Sequence, residues 1–298
     1  MRSVARSLLV AAALCVATWL PLACGGGGEL RDASLQGGSY GRIAVAYVHQ
    51  HDDPVGRVHL VSEARFVRHR NAEADGIEAL LGAGPAELRR GECRVVDRRA
   101  RSGAAFSAEG PEAEVELLDA GDLLIRGPSG QSALQARRYP DLVPFVAGVY
   151  YAETEPPLEL EQGTSGEVQV VGVGGAEVGP FAATVPLPLE MPLCEVTWTA
   201  TGIELRWGPG GEPEGLRIDV RDARGDGARA VSCAAADDGG FTVPATLVSS
   251  LGAREVRVAA ERRHRQPFVG AGVAGGEIVV SLRDTSELTL PLLEAKPR

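Results

Sequence analysis

Residues 202–222 read GIELRWGPGGEPEGLRIDVRD. Ile203 and Leu205 alternate with Glu204 and Arg206, and Leu216, Ile218 and Val220 alternate with Arg217, Asp219 and Arg221. A period of two is the mark of a strand that buries one face and wets the other. The intervening GPGGEPEG supplies a turn. Outward from here the pattern recurs in RIAVAYVH (42–49), GRVHLVSEARFV (56–67), AEVELLDAGDLLIRG (113–127), EVQVVGV (167–173), REVRVAAER (254–262) and EIVVSLRD (277–284). Short strands punctuated by Gly, Asp and Pro predict an all-β fold, two antiparallel β-sandwich-like domains behind a flexible tether. Helical pattern is confined to IEALLG (77–82) and PATLVSSLG (244–252), where Pro244 opens a turn and Gly252 ends it.

The chain begins with a different grammar. Arg2 and Arg6 form a positive start, SLLVAAALCVATWL is an apolar run, and Ala23 is a small residue before Cys24. These are the three parts of a secretory signal, here residues 1–23. LPLACGGGG (20–28) resembles a bacterial lipobox, which implies that Cys24 is acylated and becomes the new N-terminus. Acyl chains contribute about 0.8 kcal/mol per buried CH₂, enough for two or three of them to hold a domain on a membrane. A soluble secreted protein cut at the same place is the plainer alternative. Residues 24–40, low in bulky apolar side chains, predict a tether with a reach of roughly 20 Å.

Beyond the tether, an N-terminal β domain is expected over 41–185 and a C-terminal one over 193–298. Pro186, Pro188 and Pro192 would form a stiff connector at 186–192. Removal of Arg2 and Arg6 lowers 30 basic residues to 28 against 40 acidic ones, a formal charge of −12. That balance excludes nucleic acid and anionic lipid as electrostatic partners. With aromatics at 5% there are few rings for bases or sugars to stack on. Cys93, Cys194 and Cys233 remain after the signal and the lipid claim Cys15 and Cys24. An odd number in an oxidising compartment means one pair and one loner, or no pair. Cys194 with Cys233 is the expected pair, both lying in the C-terminal half, and Cys93 is then free.

The stretch richest in possible chemistry is YVHQHDDP (47–54). On a strand His49 and His51 share a face, so two imidazoles could hold a metal, with Asp52 or Asp53 adding an oxygen. A third ligand would otherwise come from His59 or Glu63. The plainer reading is a strand running into an Asp-Asp-Pro turn. VVGVGGAEVG (170–179) misses the dinucleotide fingerprint, since the sixth position from Gly172 is Glu177. Arg224-Gly225-Asp226 and ADDGG (236–240) read as turns, the latter a hairpin. GPSGQ (127–131) and GTSGE (163–167) both lack the last glycine of a nucleophile elbow. No catalytic residue and no cofactor site is assigned.

IELRWGPGGEPEGLRIDV resembles the second and third strands of a fibronectin type III or immunoglobulin-like domain, which implies that Trp207 is its core tryptophan. Taken whole, the chain resembles a lipoprotein family of myxobacteria and related delta-proteobacteria. The motifs are LPLACGGGG, GECRVVD (91–97), DAGDLLIRG (119–127), GGAEVGPFAATVPLP (174–188), WGPGG (207–211) and VSCAAADDGGFTVPATLVSSL (231–251). The resemblance implies an envelope location and a β fold, and it brings no catalytic residues. Gly25 is not the aspartate that retains such proteins in the inner membrane, so the outer membrane is expected. The leading expectation is a lipid-anchored, non-enzymatic binding or scaffolding module with a possible envelope protein partner. A metal-binding lipoprotein using His49 and His51, and a hydrolase of unrecognised type, are the alternatives.

Overall fold

The computed structural model describes residues 38–51, 57–70, 77, 81, 88–97, 114–138, 147–153, 159–160, 165–188, 190–225 and 229–291. Its fold is all-β. The N-terminal half contributes β1 (Gly38–Gln50), β2 (Val58–Arg70), β3 (Cys93–Asp97), β4 (Glu114–Leu117), β5 (Leu123–Gly127), β6 (Gly130–Arg138), β7 (Ala147–Glu153), β8 (Glu159–Leu160), β9 (Glu167–Gly172) and β10 (Phe181–Pro186). The C-terminal half contributes β11 (Glu195–Thr199), β12 (Gly202–Arg206), β13 (Leu216–Asp222), β14 (Arg229–Ala235), β15 (Gly240–Pro244), helix α1 (Ala245–Ser249), β16 (Glu255–Gly270) and β17 (Val273–Thr289). Among the described residues no helix is long and apolar enough to cross a membrane.

One sheet runs β10-β9-β5-β6-β7-β4-β2-β1-β17-β16-β13-β14-β3, with β8 on β2, and a second runs β11-β12-β15. The pairs are antiparallel except β4 with β7 and β1 with β17. The latter is a departure from the expected antiparallel pattern. Among the described residues the first and last strands lie side by side in parallel, Tyr40–Gln50 against Gly275–Thr285. A parallel pair needs a long crossover, and here almost the whole chain is that crossover.

The large sheet curls so that β10 meets β16 across an apolar core, with Phe181 stacked on Phe268 at 4.6 Å. Ile43, Val45, Tyr47, Phe66, Leu123, Leu134 and Val170 fill this first core together with Ile278, Val280 and Leu282 of β17. A second core lies between β11-β12-β15 and the β17-β16-β13-β14 edge of the large sheet. It is made by Ile203, Leu205, Trp207, Ile218, Val220, Val231, Val256 and Val258. Three strands thus face four across this core, a sandwich arrangement of two sheets. Trp207 is buried in that second core.

The strand pairing does not respect a division at 186–192. The β16–β17 hairpin lines both cores, and β3 of the N-terminal half pairs with β14. Consequently the expected disulfide is wrong. Cys93 and Cys233 are direct partners across β3 and β14, Cα atoms 4.1 Å apart, and they form the disulfide. Cys194 is the free, buried cysteine among the described residues. The prolines of 186–192 do not stand clear as a spacer either: Pro186 ends β10, and Leu187, Pro188 and Pro192 are buried. ADDGG is not a hairpin, because β14 and β15 belong to different sheets and the turn carries the chain between them. Pro244 is the N-cap of α1, with Gly252 at φ +68° after it.

Candidate functional site

The two cores meet at a polar seam on the inward faces of β16 and β17. Along β16, Val256, Val258 and Ala260 point inward, and the next two inward positions are Arg262 and His264. Along β17 the inward series Ile278, Val280, Leu282 continues into Asp284 and Ser286. Buried ionisable groups need partners. Each of these has one.

Arg262 and Asp237 form the centre of one cluster. The guanidinium donates through Nε to Asp237 Oδ2 at 2.9 Å and through Nη2 to Oδ1 at 2.8 Å. It also donates to the carbonyls of Glu190 and Gly208. Asp237 further accepts from the Trp207 indole at 3.0 Å and the Glu212 amide at 3.1 Å. Burial pushes the Asp237 carboxyl up, but the Arg262 hydrogen bonds and the Glu212 and Gly210 amides outweigh it and hold it below the ordinary range. Beside this pair, His264 places Nε2 2.8 Å from Glu212 Oε2 and Nδ1 3.0 Å from the Pro186 carbonyl. WGPGG, ADDGG and the proline segment, remote in sequence, are thereby fastened to one strand.

The second cluster contains the histidines singled out from the sequence. The parallel register sets His49 directly opposite Asp284. His49 Nδ1 lies 2.7 Å from Asp284 Oδ1, with side chains 8% and 1% exposed. The Cys194 amide donates to Asp284 Oδ2 at 2.8 Å, so both carboxylate oxygens are held. One residue past β1, the His51 amide continues the ladder to the Thr285 carbonyl at 2.9 Å. The His51 ring is exposed and stands edge-on to that of His49, centroids 6.3 Å apart. One ligand atom each from His49, His51 and Asp284 falls within 4.8 Å of the others.

The expected pairing of His49 with His51 is therefore present, and the third group comes from neither expected source. His59 is the register partner of Val48, which puts it on the opposite face of the sheet from His49. Glu63 pairs with Ala44, farther along that same opposite face. Asp52 and Asp53 lie outside the described residues. Asp284 was hidden in EIVVSLRD as an ordinary polar end to a strand.

The remaining motifs are structural where they are described. Cys194 Sγ donates to the Pro192 carbonyl at 3.0 Å, and burial, with Asp284 nearby, pushes its thiol up to about 12. A thiol so held is a poor nucleophile. No helix follows VVGVGGAEVG, which leads through a bend into β10. Arg224 is engaged by Glu255 at 2.7 and 2.8 Å, and Asp226 lies outside the described residues.

No family model and no curated protein matches the chain. Among solved structures it is similar to the Fcho1 Mu homology domain of Danio rerio with bound Eps15 peptide. The identity is 8%, over 86% of this chain and 98% of that chain, with a TM-score of 0.24. A likeness at that level carries no argument about function.

Proposed function

We propose that the chain is a lipid-anchored envelope module that displays its C-terminal sandwich as a binding or scaffolding surface. The observation that carries this reading is the direction of β17. Its first residues lie beside the start of β1, where the Ala274 amide donates to Ser39 Oγ at 3.1 Å. Its last residues border the second core. At about 3.3 Å per residue, seventeen residues span roughly 55 Å. A tether attached through Cys24 would join β1 at the near end, and the β11–β12 turn and α1 lie at the far one.

The manner of attachment supports the same reading. β1 is flanked on both sides, by β2 from Gly38 to His49 and by β17 from Tyr40 to Gln50. Tension on its N-terminus is shared by two ladders in shear, whereas an edge strand would peel one bond at a time. Loop ends of a rigid sandwich are where recognition surfaces are usually built.

Site-specific photo-crosslinking in intact envelopes tests the proposal. A crosslinker at exposed Ser250, beside α1, is expected to capture one protein partner. One at Val269, 83% exposed beside the β16–β17 turn, is expected to capture lipid or nothing. Equal labelling at both positions, or none at Ser250, would overturn distal display.

A further inference from the structure

We propose that His49, His51 and Asp284 form a binding site for one divalent transition metal of the zinc class. The donor set is two imidazoles and one carboxylate, the combination that zinc takes when three protein ligands leave a fourth position open. This inference is independent of the lipid anchor and of any protein partner.

Geometry brings the three groups near the required spacing. Tetrahedral zinc with ligand bonds of about 2.0–2.2 Å needs donor atoms roughly 3.3–3.5 Å apart. His49 Nδ1 and Asp284 Oδ1 stand at 2.7 Å, so a metal taking the place of the proton shared between them requires a small separation. No spacing in the trio exceeds 4.8 Å, so closing it requires an approach of at most about 1.5 Å. That movement falls to His51, which lies beyond the end of β1 and is exposed. The two inner ligands are buried and fixed, and the outer one can swing in.

The surroundings fit a ligand role for Asp284. Its second oxygen is held by the Cys194 amide at 2.8 Å, which orients the first oxygen toward the histidines. Hydrogen bonds of this kind to the ligating carboxylate sharpen metal sites. The parallel pairing that aligns His49 with Asp284 extends one hydrogen bond further, to His51, and so positions both histidines from one strand end. The exposed side of His51 leaves water a route to the fourth position.

The test uses the full chain, purified in detergent without a histidine tag and stripped with chelator. Titration with Zn²⁺ alone, followed by calorimetry, is expected to give one ion per chain with micromolar or tighter affinity. Substitution with Co²⁺ is expected to give the intense visible bands of a four-coordinate ion. His51→Ala, at an exposed position, is expected to fold normally and to weaken zinc binding at least a hundredfold. An absence of stoichiometric zinc binding in the native chain, or a His51→Ala protein that binds zinc as tightly, would overturn the site. Asp284→Asn gives a second readout: a folded variant with undiminished affinity would equally contradict the proposal.

Discussion

Arg262 on β16 and Asp237 in the turn between the two sheets meet through two hydrogen bonds of 2.8 and 2.9 Å, both side chains only 1% exposed. The pair ties the second core to the seam, because the same guanidinium also reaches the carbonyls of Glu190 and Gly208. Removing one member of such a pair leaves the other charged and unsolvated. Arg262→Ala is therefore expected to cost about 3–5 kcal/mol in urea unfolding. Arg262→Met with Asp237→Leu is expected to cost less than the sum of the two single changes, since neither charge is then stranded.

The Cys93–Cys233 disulfide closes a loop of 140 residues and joins the two halves of the chain. Loop entropy assigns such a cross-link about 5 kcal/mol. Cys93→Ser with Cys233→Ser should lower the melting temperature markedly, while the Cys194→Ser protein keeps the cross-link in a non-reducing peptide map. A Cys194–Cys233 peptide in that map would contradict the register of β3 against β14.

The Cys194 thiol, raised to about 12, should resist iodoacetamide in the native protein at pH 8 and react once denaturant is added. Rapid native labelling would show that the seam opens to solvent.

Acid should unfold the protein through identifiable groups. Burial pushes Glu261 up, but Arg283, Arg217, the Ser281 hydroxyl and Arg263 outweigh it and bring the carboxyl down to about 2 from an ordinary 4.5. The folded state thus binds this proton less tightly than the unfolded state. Its stabilisation is present in full above about pH 4.5 and is lost as pH falls toward 2. In Glu261→Gln the slope of unfolding free energy against pH over that window should be smaller than in the native chain.

Gly202, at the turn into β12, has φ +144°, and a Cβ there would lie 1.9 Å from the Val243 carbonyl oxygen. Gly202→Ala should cost more than about 2 kcal/mol, read from thermal melts. Gly208→Ala, where an added Cβ meets open space, is the matched control.

How much of this was legible depended on whether a segment's own alternation carried its fate. GIELRWG and GLRIDVRD show β12 and β13 plainly, because their inward residues are all apolar. REVRVAAER and EIVVSLRD underestimate β16 and β17, which continue to Gly270 and Thr289. The pattern breaks where Arg262, His264, Asp284 and Ser286 turn inward, and those breaks mark the seam between the cores. His49 and His51 were visible as a pair. Asp284 was not, since only the parallel pairing of the first and last strands brings it to them. The Cys93–Cys233 disulfide is hidden from the sequence for a similar reason. Proximity in sequence favoured Cys194, whereas β3 crosses to β14 from the other half of the chain.

The anchor and the body are joined in one quantity, the intact mass of the chain extracted from envelopes with detergent. The account predicts a chain that starts at Cys24, carries the added mass of acyl groups, and is two hydrogens lighter for its one disulfide. An unmodified Cys24 in chain recovered from the aqueous fraction would contradict it.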